Sequence, residues 1–108
     1  MRTVDVFYGD VYAGQLAELA KGNYRFTYDD SFLANSSMPP VSVNLPKSSK
    51  VYHSERIFPV FINMLPEGAN RRALCLVRKV DEADYFGMLE MICGMDTIGK
   101  FVLRKTKR

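Results

Sequence analysis

The sequence predicts a small α+β domain. A short antiparallel sheet, built from a hairpin, a third strand, a short edge strand and a C-terminal strand, should carry about three helices on one side. Three observations lead there. The N-terminal stretch up to Tyr28 has strand-like composition broken by tight-turn pairs. Beyond Ser54 the apolar residues shift to a helical period, clearest in Tyr85, Met88, Leu89, Ile92 and Cys93 at i, i+3, i+4, i+7 and i+8. A last apolar run between Lys100 and Arg104 then supplies a strand to rejoin the sheet. At 108 residues the chain can bury one core but not two. We place one domain over residues 1–103 and a basic tail over 104–108.

The elements follow in order. Thr3 to Tyr8 is rich in β-branched and aromatic residues, and Gly9-Asp10 supplies a hairpin turn. Val11 to Leu16 returns as the second strand, with Gly14 marking a bulge or a close backbone approach. After a turn at Lys21-Gly22-Asn23, Tyr24 to Tyr28 alternates, so Tyr24, Phe26 and Tyr28 share one face. Asp29-Asp30-Ser31 starts a helical turn presenting Phe32 and Leu33. Val41-Ser42-Val43 lies between prolines and reads as a short strand near an edge. Lys47 to Lys50 is a surface loop.

Ser54 is the expected N-cap of a helix to about Leu65, with Pro59 shifting its start or bending its axis. Pro66 ends it and Gly68 allows a corner. Ala69 to Lys79 is the second helix, with Ala73, Leu74 and Val77 as its apolar stripe. Asp81 should cap the third helix and Gly94 should stop it.

Composition places the chain among ordinary globular domains, at 47% hydrophobic and 25% charged residues. No apolar run approaches the ~20 residues of a membrane helix. Asp5 and Asp10 interrupt the region where a signal peptide needs an apolar core, so a cytoplasmic protein is expected. Cys75 and Cys93 then read as reduced, buried small hydrophobes. The net charge of +3 is unevenly placed. Arg104, Lys105, Lys107 and Arg108 supply four of the 15 cations, and the remaining 11 face 12 carboxylates. The tail is either a solvated terminus or a contact for phosphate or an acidic partner.

The residues point to no catalytic site, no cofactor and no metal. Phosphoryl transfer needs a glycine-rich phosphate loop, a phosphate-pairing lysine and Mg²⁺-holding Asp or Asn groups. The seven glycines are scattered, and no such loop forms. His53, the single histidine, reads as solvent-facing or capping. Two distant cysteines and one histidine fall short of a zinc site. Asp29-Asp30 and Asp81-Glu82-Asp84 sit at turn and helix starts, where capping and the helix dipole explain them. The stripe of Tyr24, Phe26 and Tyr28 reads as core facing rather than as a base-stacking platform.

Several blocks resemble the N-terminal subdomain of HipA-like serine/threonine kinase toxins. They are Ala13-Gly14-Gln15-Leu16, Phe26-Thr27-Tyr28 with Phe32-Leu33, Pro40 to Pro46 (PVSVNLP), Met64-Leu65-Pro66-Glu67, and Asp96-Thr97-Ile98-Gly99-Lys100. The sequence departs from that pattern at Phe32, where tryptophan is usual, and at Lys100, where a small residue is usual. The resemblance implies a non-catalytic chain that accompanies a kinase core lacking this subdomain, as HipS-like proteins accompany HipT-like kinases in toxin–antitoxin systems. A HipB-like helix-turn-helix protein would be a third component, making DNA contact indirect, and no membrane is involved. A truncated N-terminal piece of a full-length kinase, or a nucleic-acid accessory using the tail, are the alternatives.

The expected partner surface is the corner Met64, Leu65, Pro66, Glu67 and Gly68, with Arg71 and Arg72 following. Pro66 and Gly68 force a sharp turn, and adjacent Met64 and Leu65 cannot both enter one core. The two arginines offer forked donors to carboxylates. The competing reading puts Leu65 in the core, Met64 in a gap and both arginines in solvent.

Overall fold

A computed structural model describes residues 1–95 and 100–106. Five antiparallel strands form one sheet: β1 (Arg2–Tyr8), β2 (Val11–Ala20), β3 (Asn23–Tyr28), β4 (Val51–Ser54) and β5 (Phe101–Lys105), in the order β4-β3-β2-β1-β5. Four helices accompany them: α1 (Asp30–Ala34), α2 (Pro59–Ile62), α3 (Gly68–Arg78) and α4 (Tyr85–Met91). The expected hairpin, third strand and C-terminal strand are therefore all present.

Strand alternation builds the core. Val4 pairs with Leu16 and Leu16 with Phe26, beside the row Leu103, Val6, Gly14 and Tyr28. Val4, Val6, Leu16, Phe26, Tyr28 and Leu103 are all buried, and join Phe61, Cys75, Phe86, Met88 and Leu89 from the helices in one cluster. Both readings of Gly14 hold. The β1–β2 register shifts beside it, between Val6 and Phe7, and a Cβ at Gly14 would lie 2.3 Å from the Thr27 carbonyl oxygen. Only glycine fits that approach.

Five expectations change in detail. The edge strand is Val51–Ser54, paired with β3, and not Val41 to Val43. Residues 41–45 turn back on themselves, with Leu45 N bonded to the Ser42 carbonyl at 3.0 Å. Instead Val41 and Leu45 enter the core, and the Tyr28 hydroxyl accepts from Val41 N at 2.9 Å and donates to the Leu45 carbonyl. Consequently Ser54 is no helix cap. The helix before the corner is a single turn capped by Phe58, with Pro59 in its first turn, where the missing N–H has no intrahelical partner to lose.

In α3 the expected stripe is misplaced: Ala73 and Val77 are exposed and Cys75 is the buried residue. In α4 the cap is Asp84, whose carboxylate accepts from Gly87 N at 3.1 Å, while Asp81 accepts from Ala83 N in the preceding turn. The tail boundary also moves. Arg104 and Lys105 belong to β5, and Arg104 lies 4.8 Å above the Phe7 ring. Asp96 to Gly99, Lys107 and Arg108 lie outside the described residues.

Candidate functional site

The corner between α2 and α3 is built by local rules. After α2, Met64 N and Leu65 N bond back to Phe61 and Ile62 carbonyls at 3.1 and 3.0 Å, tightening the last turn. Leu65 is buried, and Met64 packs half-buried against the core. Pro66 breaks the helix, and Gly68 turns the chain at φ +58, a left-handed conformation open to glycine. Arg71 reaches back: its Nε donates to the Pro66 carbonyl at 2.8 Å, and its guanidinium lies 5.8 Å from the centre of the Tyr85 ring. Of the seven predicted partner residues, Leu65 and Arg71 therefore shape the corner. Glu67, Gly68 and Arg72 are exposed, and Met64 and Pro66 are half-buried between them.

Beyond the corner, α3 shows its unusual feature. Ala69, Ala73, Leu76 and Val77 fall at i, i+4, i+7 and i+8 and are all exposed, Leu76 at 80% and Val77 at 76%. Arg71, Leu74 and Cys75 occupy the opposite side, where Cys75 is the buried contact. The apolar stripe of this helix thus faces outward. Sequence reasoning missed it, although the spacing was visible: Ala69, Ala73, Leu76 and Val77 form a stripe that excludes Cys75. The helix ends on Lys79 at φ 57, with Lys79 N bonded to Leu76 O and Val80 N to Cys75 O, the pattern that usually takes glycine.

A charged cluster on the other flank holds α4 to the sheet. Arg2 donates from both terminal nitrogens to the Asp84 carboxylate at 2.9 Å each and from Nε to Glu18 at 2.8 Å. Glu90 lies 3.6 Å away, and Arg2 also covers the Phe86 ring. The Arg2 bond and the Gly87 N–H, against partial burial, hold the Asp84 carboxyl below its ordinary range. Gly87 makes room, since a Cβ there would lie 2.4 Å from Asp84 Oδ2. Four charges are thereby spent on fixing a helix to a strand.

The other candidate groups sit apart. His53 is exposed on β4. Asp29 caps α1 and Asp30 pairs with Lys50 at 2.9 Å. Cys93 is half-buried, with its thiol pushed up to about 11 chiefly by burial and next by Glu90. Among the described residues, no group of three or more His, Cys, Asp or Glu is placed to hold a metal ion. None of their helices is long and apolar enough to cross a membrane.

Fold and surface together define a small α+β module whose sheet face is filled by helices and whose α3 offers a basic, partly apolar outer surface. The chain belongs to the HipA N-terminal domain family, whose profile matches residues 4–104. A solved structure described as the N-terminal domain of HipA toxin superposes with a TM-score of 0.72 at 26% identity, covering 100% of this chain and 95% of that one. An uncharacterized protein of Haemophilus influenzae is 27% identical over 108 residues, 100% of this chain and 96% of its own length. A putative kinase, Y4mE, of Sinorhizobium fredii is 26% identical over 94 residues, 87% of this chain but 22% of the kinase.

Proposed function

We propose that this chain is a non-catalytic partner of a HipA-like kinase. It docks on the kinase body and acts as the antitoxin or regulatory subunit of a toxin–antitoxin pair. One observation carries the reading: the same domain fills 96% of one relative and 22% of a putative kinase. The domain therefore occurs in relatives both nearly alone and as the smaller part of a kinase-sized chain. The corner supplies the first contact, with Glu67, Gly68 and Arg72 open to the partner and Leu65 and Arg71 holding its shape. DNA is reached only through a HipB-like protein.

A second reading is favoured by the 87% of this chain that aligns within the kinase. In it the domain is the N-terminal piece of one longer kinase and docks in cis. The reading frame directly downstream discriminates between them: a separate kinase core lacking this domain supports the trans partner.

Affinity purification of the tagged chain from its own cells tests the proposal. A HipA-type kinase polypeptide should co-purify. Recovery of the chain without any such polypeptide contradicts the reading. The isolated protein should also bind no nucleotide. A shift of several degrees in Tm at saturating MgATP, as mass action requires of a tight site, would overturn the non-catalytic assignment.

A further inference from the structure

We infer that the outward face of α3, formed by Ala69, Arg72, Ala73, Leu76 and Val77, is the surface that seats in an apolar, carboxylate-rimmed groove of the kinase body. The inference rests on the proposed kinase partnership and assigns it a place on this molecule.

Three observations carry it. First, an amphipathic helix normally turns its apolar stripe inward, and this one turns it out. Leu76 and Val77 are neighbours one and two positions past Cys75, yet only Cys75 is buried. Contiguous exposed apolar side chains rimmed by charge mark interaction sites, and a helix with i, i+4, i+7 and i+8 anchors suits a groove.

Second, the charge selects the occupant. From Gly68 to Lys79 the chain carries Arg71, Arg72, Arg78 and Lys79 and no carboxylate. Arg71 is engaged with Pro66 and Tyr85, and Arg78 and Lys79 line a cavity with Asp81, Asp84 and Glu90, whereas Arg72, beside the stripe, is exposed and has no ion-pair partner among the described residues. A second copy would bring like charges together along the paired helices. A groove edged with Asp and Glu complements them and steers the encounter.

Third, a large body adjoins this domain in a relative. The matched region is 22% of the putative kinase, leaving 78% (100 less 22) in the same polypeptide. The α4 flank is closed by its own charges on Arg2, Asp84, Glu18 and Glu90. The α3 face has no such closure.

Site-specific photocrosslinking in the cells that encode this protein tests the assignment. A photoreactive phenylalanine analogue is placed at position 76 in one variant and, as the control, at Val43, which is 90% exposed and lies in the loop before β4, outside α3. Crosslinked products are identified by mass spectrometry. Position 76 should capture a HipA-type kinase polypeptide, and position 43 should not. The double variant Arg72→Glu, Leu76→Glu, confirmed folded, should bind that kinase at least tenfold more weakly, while Arg72→Lys keeps the affinity within about threefold. Capture of the kinase from position 43 but not 76, or unchanged affinity of the double variant, overturns the surface and leaves the partnership standing. Crosslinking of position 76 to a second copy of this chain, or to proteins other than a kinase, also overturns it. Absence of kinase from both crosslinks and the affinity purification overturns the partnership and the surface together.

Discussion

Helices α3 and α4 sit side by side in sequence and differ in what holds them. The shorter, α4, buries Phe86, Met88, Leu89 and Met91, followed by Ile92, and is tied to β1 through Arg2 and Asp84. The longer, α3, buries one residue, Cys75, and leaves Leu76 and Val77 outside. Burial of large apolar side chains, at ~1.5–3 kcal/mol each, stabilises the first. The second leans on its corner and its cap. Helix length is thus no guide to which helix belongs to the core. The difference lies in the direction of the stripe, which faces inward in α4 and outward in α3.

The sharpest attempt to break this contrast truncates matched leucines. Leu89→Ala should cost about 2–5 kcal/mol in urea unfolding, whereas Leu76→Ala should stay within about 0.5 kcal/mol. Equal costs would erase the distinction.

Removing the tie of α4 should have a smaller effect. Arg2→Ala leaves Glu18, Asp84 and Glu90 without their shared cation and should cost about 1–2 kcal/mol at low salt, shrinking at high salt because Arg2 is one-third exposed. A salt-independent loss would assign the effect to packing on Phe86 instead.

The same contact has a pH signature. Asp84 titrates below the ordinary value in the folded protein, so its contribution is present above about pH 4 and fades as pH falls through the folded-state value. Asp84→Asn should flatten that acid limb in a pH series of urea midpoints and leave the limb unchanged if Arg2 does not hold the carboxylate.

The smallest expected effect is on the other side of the comparison. Leu76→Glu exchanges one good helix former for another at an exposed site, so the free protein's stability should change by less than about 0.5 kcal/mol. A large loss would place Leu76 in the core.

Much of the sheet was legible because alternation is local. Tyr24, Phe26 and Tyr28 share a face by period alone, and Gly14 announces a close approach by lacking a side chain. The helix at Tyr85 was legible from its spacing, although its cap is Asp84 rather than Asp81, and Asp84 is also bound by Arg2, 82 positions away. The edge strand was not legible. Val41-Ser42-Val43 has better strand composition than Val51-Tyr52-His53-Ser54, and it loses because the segment turns back on itself between Ser42 and Leu45 and the Tyr28 hydroxyl takes up Val41 N and the Leu45 carbonyl. At the corner, Pro66 and Gly68 gave away the turn. The role of Arg71 depends on Tyr85, which no local pattern brings near. The outward stripe of α3 was missed because an apolar stripe is read as core by default, and which face meets the body is a tertiary fact.

Hydrogen exchange, residue by residue, tests the central claim most directly. In the free protein the α4 amides should exchange only through global unfolding, while the amides of α3 should exchange faster, through local opening. Adding the HipA-type kinase should slow exchange across α3 and leave α4 unchanged. Amides of α3 as slow as those of α4 in the free protein, or unaltered by bound kinase, would contradict the account.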